Sequence, residues 1–287
     1  MSFSFVTLKQ LTEDVVNWSR QLPHYDCIVG VPRSGFIPAS ILATTRNTRL
    51  ISAEELIQNG DEAINRAILR ESNPLIRYST PHGNKVLVVD DTTSDNSYTM
   101  EAIRSRLNTT LDITYGAVYR ASAASKVDVW YKEIPQLRMF EWNWRRHWQL
   151  KNSLFDIDGV LCEDWEGPPE KEDDPDFLQH IKTVKPLYLP QVPIRTIVTS
   201  RSEKYRLETV NWLSEHNVRY KNLIMYPPVP PEERRRMGDH ADRKAAAYLA
   251  EPEAPLFVES NVKQAKRIHE ITKRPVLCID NMTAYSE

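Results

Sequence analysis

Two apolar runs of strand length in this chain end in paired carboxylates, and few folds can bury both. The first, Lys85-Val-Leu-Val-Val89, runs into Asp90 and Asp91. The second, Ser153-Leu-Phe155, runs into Asp156, Ile157 and Asp158, followed by Gly159. A short apolar run bounded in this way fits a parallel strand buried on both faces. Parallel strands need long crossovers, and helical patterns occur between such runs, at residues 177–184, 205–216 and 262–272. The expected fold class is therefore α/β, with two domains that are each a mainly parallel sheet flanked by helices. Functional groups belong at the strands' C-terminal ends. A length of 287 residues suits two such domains, read as 1–148 and 149–287 with a short junction near residues 145–152.

Alternate residues of a strand point the same way, so Asp156 and Asp158 face one site. Two carboxylates that close need a cation between them or a shared proton. All-oxygen donors suit Mg2+, which keeps waters for a phosphate. Gly159 allows a sharp turn out of the strand. The plainer alternative is a strand end with an Asp-Gly turn. The net charge of −2 offers no field for nucleic acid or an anionic membrane. Cys27, Cys162 and Cys278 are far apart and follow no zinc spacing, so they read as reduced core thiols. The N-terminus lacks a signal-peptide pattern and no long apolar span occurs, so a cytoplasmic, soluble protein is expected. A homo-oligomer is compatible with all of this.

In the first half, residues 12–22 form a helical pattern with Thr12 as its N-cap. A buried strand at residues 27–31 breaks into Pro32-Arg33-Ser34-Gly35, and an apolar helix follows at residues 37–44. This is either an ordinary strand–helix connection or an anion site made of backbone N–H groups and a helix dipole. Residues 53–69 have helical spacing and many charges up to the Asn73-Pro74 break, which fits a mobile flap or a solvated helix equally. After Asp90 and Asp91 come the hydroxyl- and amide-bearing residues Thr92, Thr93, Ser94, Asn96, Ser97 and Thr99, then a helix at residues 100–107. Paired acids can accept from vicinal sugar hydroxyls, and the loop can hold a phosphate, so together they describe a ribose 5-phosphate site. Strands follow at residues 113–119 and 127–131, then an aromatic stretch with Phe140, Trp142, Trp144 and Trp148.

The turn at residues 30–35 and the segment at residues 86–100 resemble the pyrophosphate loop and the phosphoribosyl pyrophosphate (PRPP) signature of type I phosphoribosyltransferases. The resemblance covers residues 26–150. It implies that Asp90 and Asp91 hold the ribose hydroxyls and that the loop of residues 94–99 holds the 5-phosphate. It also implies that Arg33 and Ser34 contact pyrophosphate. Arg120 falls where purine-type members carry a base-reading lysine, and Trp142 would stack on the base. The tryptophans also read as a packing seam between domains. The loop carries no glycine, so its geometry differs from the family's.

In the second half, Asp156-x-Asp158, Thr199, Lys244 and Glu259-x-Asn261 fall in order at apparent strand ends or on a following helix. That order resembles the haloacid dehalogenase superfamily, which implies a Rossmann-like domain over residues 151–287. By this resemblance Asp156 is the nucleophile, Asp158 the general acid and base, and Thr199 a donor to the phosphoryl oxygens. Lys244 neutralises charge, although Lys182, Lys185, Lys204 and Arg243 compete for that role. Asp156, Asp158, Glu259 and Asn261 would hold Mg2+, and Arg201 would touch the substrate phosphate. The gap from Asp158 to Thr199 holds a flap and a helix but no large cap. Arg234-Arg235-Arg236 is a solvated face or an attractor of phosphorylated substrates.

The expected function is bifunctional. Phosphoribosyl transfer from PRPP to a base-like acceptor precedes Mg2+-dependent dephosphorylation of the nucleotide-like product. The expected partners are phosphorylated small molecules, PRPP or a nucleotide. Two rivals stand beside this reading. One is a phosphatase whose first domain only binds PRPP or a nucleotide. The other is an RNA-binding regulator of phosphoribosyltransferase fold, against which the net charge of −2 speaks.

Overall fold

The computed structural model describes residues 3–66, 84–168 and 174–286. The end of the helical stretch read at residues 53–69, the Asn73-Pro74 break and residues 169–173 of the acidic flap lie outside these. The chain divides into two compact units, Val6–Arg138 and Met139–Glu287 with Met1–Phe5.

The first unit is built from β1 (Ser4–Val6), which begins in the other unit, then α1 (Leu8–Ser19), β2 (Cys27–Gly30) and α2 (Phe36–Arg46). It continues with β3 (Arg49–Ser52), α3 (Ala53–Asn59), α4 (Glu62–Arg66), β4 (Lys85–Thr93), α5 (Thr99–Arg104), β5 (Asp112–Arg120) and β6 (Val129–Glu133). Five of the described strands form a parallel sheet in the order β3-β2-β4-β5-β6. The two-residue period sets the layers. Cys27, Val29, Val86 and Val88 pack with Leu56, Ile64 and Ile103 in one cluster. The ring of Trp18 and the side chain of Leu87 meet at Gly116, leaving no room for a side chain there.

Two local readings differ from the sequence expectation. Helix α1 starts at Leu8 because the Thr7 hydroxyl accepts the Gln10 amide at 3.1 Å. Thr12 lies inside the helix and bonds back to the Leu8 carbonyl at 2.9 Å. Strand β3 went unread because its four residues mix charged and apolar types; pairing with β2 makes it a strand.

The second unit contains β7 (Arg138–Phe140), which begins at its edge and pairs with β1. Next come β8 (Leu154–Phe155), α6 (Pro175–Thr183), β9 (Ile194–Ser202), α7 (Arg206–Glu215), β10 (Tyr220–Tyr226), α8 (Pro231–Met237) and α9 (His240–Leu249). The chain ends with β11 (Phe257–Glu259), α10 (Val262–Thr272), β12 (Val276–Cys278) and β13 (Thr283–Tyr285). The sheet order is β10-β9-β8-β11-β12-β13, parallel except for β13 against β12.

The chain leaves β8 for β9 and β10 on one side, then returns to β11 on the other. That reversal puts a topological switch point beside β8, where α/β sheets open a crevice at the strand ends. Residues 231–249 form two helices rather than one, because Gly238 takes a left-handed conformation with φ of 59° and ends α8. Trp212 of α7 is buried and donates its indole N–H to the Val184 carbonyl at 2.8 Å, tying α7 to the end of α6. Among the described residues, no helix is long and apolar enough to cross a membrane.

Gly35 couples the first loop to β4. A Cβ at this position would lie 2.5 Å from the Val31 carbonyl oxygen and 2.9 Å from both the Asp90 carboxylate and the Val89 carbonyl oxygen. Two of these neighbours are backbone and cannot move cheaply. Gly35→Ala is expected to destabilise the first unit by about 1–3 kcal/mol in urea denaturation. An unchanged midpoint would contradict the close approach.

Candidate active site

Strand β8 stops at Phe155 and delivers Asp156 to the switch point, where its amide donates to the Val258 carbonyl at 3.0 Å. One Asp156 oxygen accepts the Ile157 amide at 2.8 Å, and the other accepts the Lys244 ammonium at 2.6 Å. Lys244 projects from α9 and is 1% exposed. Its ammonium also donates to Glu259 at 2.8 Å and to Gln264 at 3.0 Å. Glu259 ends β11 with 0% exposure, and its other oxygen accepts the amides of Ser260 (3.0 Å) and Asn261 (3.1 Å). Gly159 makes the turn after Asp158 with φ of 73°, and a Cβ there would lie 2.4 Å from the Ser260 hydroxyl. Its place in that turn is thus fixed by packing as well as by φ.

Asp158 is held differently. Arg201, at the end of β9, grips both of its oxygens, with Nε 3.0 Å from each and Nη2 2.6 Å from one. Arg201 Nη2 also donates to the Cys162 sulfur at 3.2 Å, while its Nη1 is buried without a hydrogen-bond partner.

The charges respond to these contacts. Burial pushes the Asp156 carboxyl up to about 8, with Glu259 and Asp158 adding to the rise and Lys244 opposing it. Burial works against the Lys244 ammonium, but Asp156 and Glu259 outweigh it and raise its pKa. Burial would raise Asp158, yet the Arg201 guanidinium wins and holds it below the ordinary carboxylate range. Two cations thus face three carboxyl groups, of which Asp156 and Glu259 are buried and Asp158 half-buried.

These residues line a cleft of about 300 Å³ together with Asp164, Trp165, Phe177, Ser200, Arg234 and Arg235. A basic set therefore shares one cleft with the acidic floor. Lys244, Arg201 and Glu259 gather at Asp156 and Asp158. Asn261 lines the cleft, but its side-chain oxygen caps α10, accepting the amides of Lys263 (3.0 Å) and Gln264 (3.1 Å). Thr199 does not line this cleft. Its hydroxyl accepts the Arg201 amide at 3.1 Å, and it borders a neighbouring cavity of about 270 Å³; Ser200 takes the cleft position instead.

The donors read as Mg2+ ligands are all oxygens, which suits that ion. Among the described residues, however, no three Asp, Glu, His or Cys side chains form a ready metal cluster. An ion at Asp156 and Glu259 would share those carboxylates with the Lys244 ammonium.

The cleft residues that sequence reasoning passed over are Asp164, Trp165, Phe177, Ser200, His240 and Gln264. Most lie on loops or helix ends, where no periodic signal exists. Arg234, read in a charge run, is instead buried, and its Nη1 donates to the Ser200 carbonyl at 3.4 Å.

In the first unit, Arg33 is exposed and Ser34 half-buried in the turn before α2, where the Pro32–Arg33 peptide is cis. Strand β4 continues through Thr93, pairing Thr92 with Tyr119 and Thr93 with Arg120. Asp90 and Asp91 are therefore consecutive residues inside β4 rather than the residues that end it. The Asp91 amide donates to the Asp90 carboxylate at 2.8 Å. Burial, then the neighbouring Asp91 carboxyl, raises the Asp90 pKa well above its usual value.

Ser94, Asn96, Ser97 and Thr99 lie in the loop and the first turn of α5. That loop is tied down by Asp95, which accepts the hydroxyls of Ser122 and Ser125 at 2.8 Å each. Buried Arg138, which sequence reasoning missed, donates to the carbonyls of Ile134 (3.1 Å) and Thr93 (2.5 Å) and so anchors the end of β4. Arg120 pairs with Glu133 at 2.9 Å, and its guanidinium lies 3.4 Å from the Trp130 ring centroid. Trp142 belongs to the second unit, 5.1 Å from the Phe140 ring.

No family model matches the chain, and no curated protein does. Among solved structures, it is similar to a xanthine-guanine-hypoxanthine phosphoribosyltransferase from Helicobacter pylori. The identity is 17% and the TM-score 0.34, over 49% of this chain and 92% of that one. A purine phosphoribosyltransferase from Pyrococcus horikoshii gives 18% identity and a TM-score of 0.34, over 50% of this chain and 94% of that one. A hypothetical protein from Neisseria gonorrhoeae with bound ppGpp gives 13% and 0.33, over 50% and 90%. The class that the strands themselves define is α/β, with mainly parallel sheets flanked by helices.

Lys244→Met would leave Glu259 buried without its counter-charge and Asp156 without its hydrogen-bond donor. The second unit is expected to lose about 3–5 kcal/mol in chemical denaturation. Adding Asp156→Asn and Glu259→Gln to Lys244→Met should recover part of that loss. No loss from Lys244→Met would contradict the buried bridge.

Proposed function

We propose that the second unit is a phosphohydrolase working through Asp156, and that the first unit binds the ribose 5-phosphate part of PRPP or a nucleotide. The observation that carries the first claim is the buried Lys244 ammonium bridging Asp156 and Glu259 in a cleft that also holds Arg201. A phosphoryl group spreads negative charge over its oxygens, and fixed cations in a half-dry cleft stabilise that charge.

In the first step an Asp156 oxygen attacks phosphorus while the bond from phosphorus to the leaving oxygen breaks. Asp158 gives that oxygen a proton. Asp158 can do this only once Arg201 lets go of it, and phosphoryl oxygens compete for the same guanidinium. Binding would thus raise the Asp158 pKa at the moment its proton is needed. In the second step Asp158 takes a proton from water, whose oxygen attacks phosphorus. The bond from phosphorus to Asp156 breaks, inorganic phosphate leaves and both carboxyl groups are restored. When Mg2+ binds, Asp156, Asp158 and Glu259 would hold it, with Asn261 joining once its side-chain oxygen leaves the α10 cap, and it would add positive charge beside the phosphoryl oxygens.

The fuller reading joins the units in sequence: the first transfers phosphoribosyl from PRPP to a base-like acceptor, and the second removes the 5-phosphate. Hydrolysis would draw a reversible transfer forward. A second reading, binding without transfer, is favoured by one observation. Arg120, the expected base reader, is already paired with Glu133 and stacked on Trp130.

The test is phosphate release by the full chain, with Mg2+, from nucleoside monophosphates and ribose 5-phosphate. Asp156→Asn should abolish release, and unchanged release would sink the phosphohydrolase reading. The attacking carboxyl must be ionised, and Asp156 holds its proton up to about pH 8. The sign follows: where Mg2+ is limiting, kcat/KM should fall as pH drops below about 8 and level off above it. Mg2+ held by Asp156 would favour its ionised form, so the fall should move to lower pH as Mg2+ is raised, and a profile that Mg2+ does not move would contradict Asp156 as a ligand. PRPP-dependent pyrophosphate release in the presence of free bases would separate transfer from binding alone.

A further inference from the structure

Among the described residues, the largest aromatic side chain lining the cleft, Trp165, is held by several neighbours. Trp165 and Phe177 both line it, beside Asp156 and Arg201. Trp165 lies between β8 and α6, with its amide donating to the Asp164 carboxylate at 2.9 Å. Its indole N–H donates to the Pro168 carbonyl at 2.8 Å. Gly167 lies directly against the indole, since a Cβ there would be 2.1 Å from Cζ2. The ring meets Phe177 edge-on, with centroids 5.5 Å apart and planes at 88°, and His180 at 5.1 Å and 67°. Phe177 in turn meets Tyr205 at 5.4 Å and 63°. Such edge-to-face packing fixes a ring's orientation.

We propose that Trp165 is a stacking platform for a planar ring on the leaving group, so that the cleft takes aromatic nucleotides in preference to bare sugar phosphates. This deepens the phosphohydrolase reading and rests on it. Indole has a single donor, and here the Pro168 carbonyl takes it. The side chain therefore offers a ligand only its π face and apolar edge. A nucleobase brings a flat face that can stack on such a surface, and a bare sugar phosphate brings none. A ring already fixed by its neighbours loses little freedom when a ligand stacks, which favours binding. The same cleft supplies cations for the phosphate in Arg201 and Lys244. Its volume of about 300 Å³ is at the small end for a ligand site and suits one monophosphate.

The test measures kcat and KM of the full chain for AMP, GMP, CMP and UMP against ribose 5-phosphate. Wild type, Trp165→Ala and Trp165→Phe are compared, with circular dichroism as the fold control. Wild type should show a lower KM for nucleotides. Trp165→Ala should raise the nucleotide KM about tenfold or more, leave kcat little changed and leave ribose 5-phosphate within about twofold. Trp165→Phe should restore most of the loss. An equal rise in KM for ribose 5-phosphate, no rise for any nucleotide, or no rescue by phenylalanine would overturn the platform. Release that survives Asp156→Asn would instead overturn the phosphohydrolase reading, and with it the premise of the platform, so the two failures are told apart.

Discussion

The second unit depends on one buried ammonium. Lys244 reaches from α9 to the ends of β8 and β11, and its nitrogen stands 2.6 Å from Asp156 and 2.8 Å from Glu259. Burying one ion costs several kcal/mol, and a buried pair often stabilises no more than apolar residues of the same volume. Stability alone is therefore a weak reason for such a cluster. Its geometry has another use, because a positive charge fixed beside a carboxylate at a topological switch point suits a ligand with spread negative charge. Arg201 extends the same arrangement to Asp158, and its Nη1 remains buried and unpartnered.

The first unit places its polar groups at the same kind of address by different means. Close approach replaces charge pairing: Gly35 lets the turn after β2 come against the Asp90 carboxylate within β4. The following loop is tied through Asp95 to Ser122 and Ser125, and Arg138 anchors the Thr93 carbonyl. Asp90 and Asp91 lie inside β4 because the strand does not stop at the end of its apolar run. Hydrogen bonding to β5 carries it two residues beyond the acids.

Much of this architecture is legible in the residues. The apolar run from Val86 to Val89 and the Asp156-x-Asp158 spacing both follow from a period of two, and the strand–helix alternation follows from the crossovers that parallel strands need. Elements fixed by tertiary pairing are not legible. Strand β3 has no apolar run, and β13 exists because β12 offers it an antiparallel edge. The split of residues 231–249 into two helices was readable in Gly238, which sits inside a strongly helical run. In the site, the acids were legible and their partners only partly so. Lys244 stands among several basic residues of equal local appearance, and only the fold brings it to Asp156. Arg234 looks like one member of a solvated run until α8 turns it toward Ser200. Trp165 lies in a loop, where side-chain direction has no period to read.

The claim that Asp156 accepts the phosphoryl group can be tested on the protein itself. The full chain would be quenched in acid after brief mixing with a nucleoside monophosphate radiolabelled in its phosphate, and the labelled peptide located by mass spectrometry. The account predicts acid-stable label on the peptide carrying Asp156, none in Asp156→Asn, and release of the label as inorganic phosphate when the quench is delayed. Phosphate release without any protein-bound label at the shortest times, or label on a peptide other than that of Asp156, would contradict it.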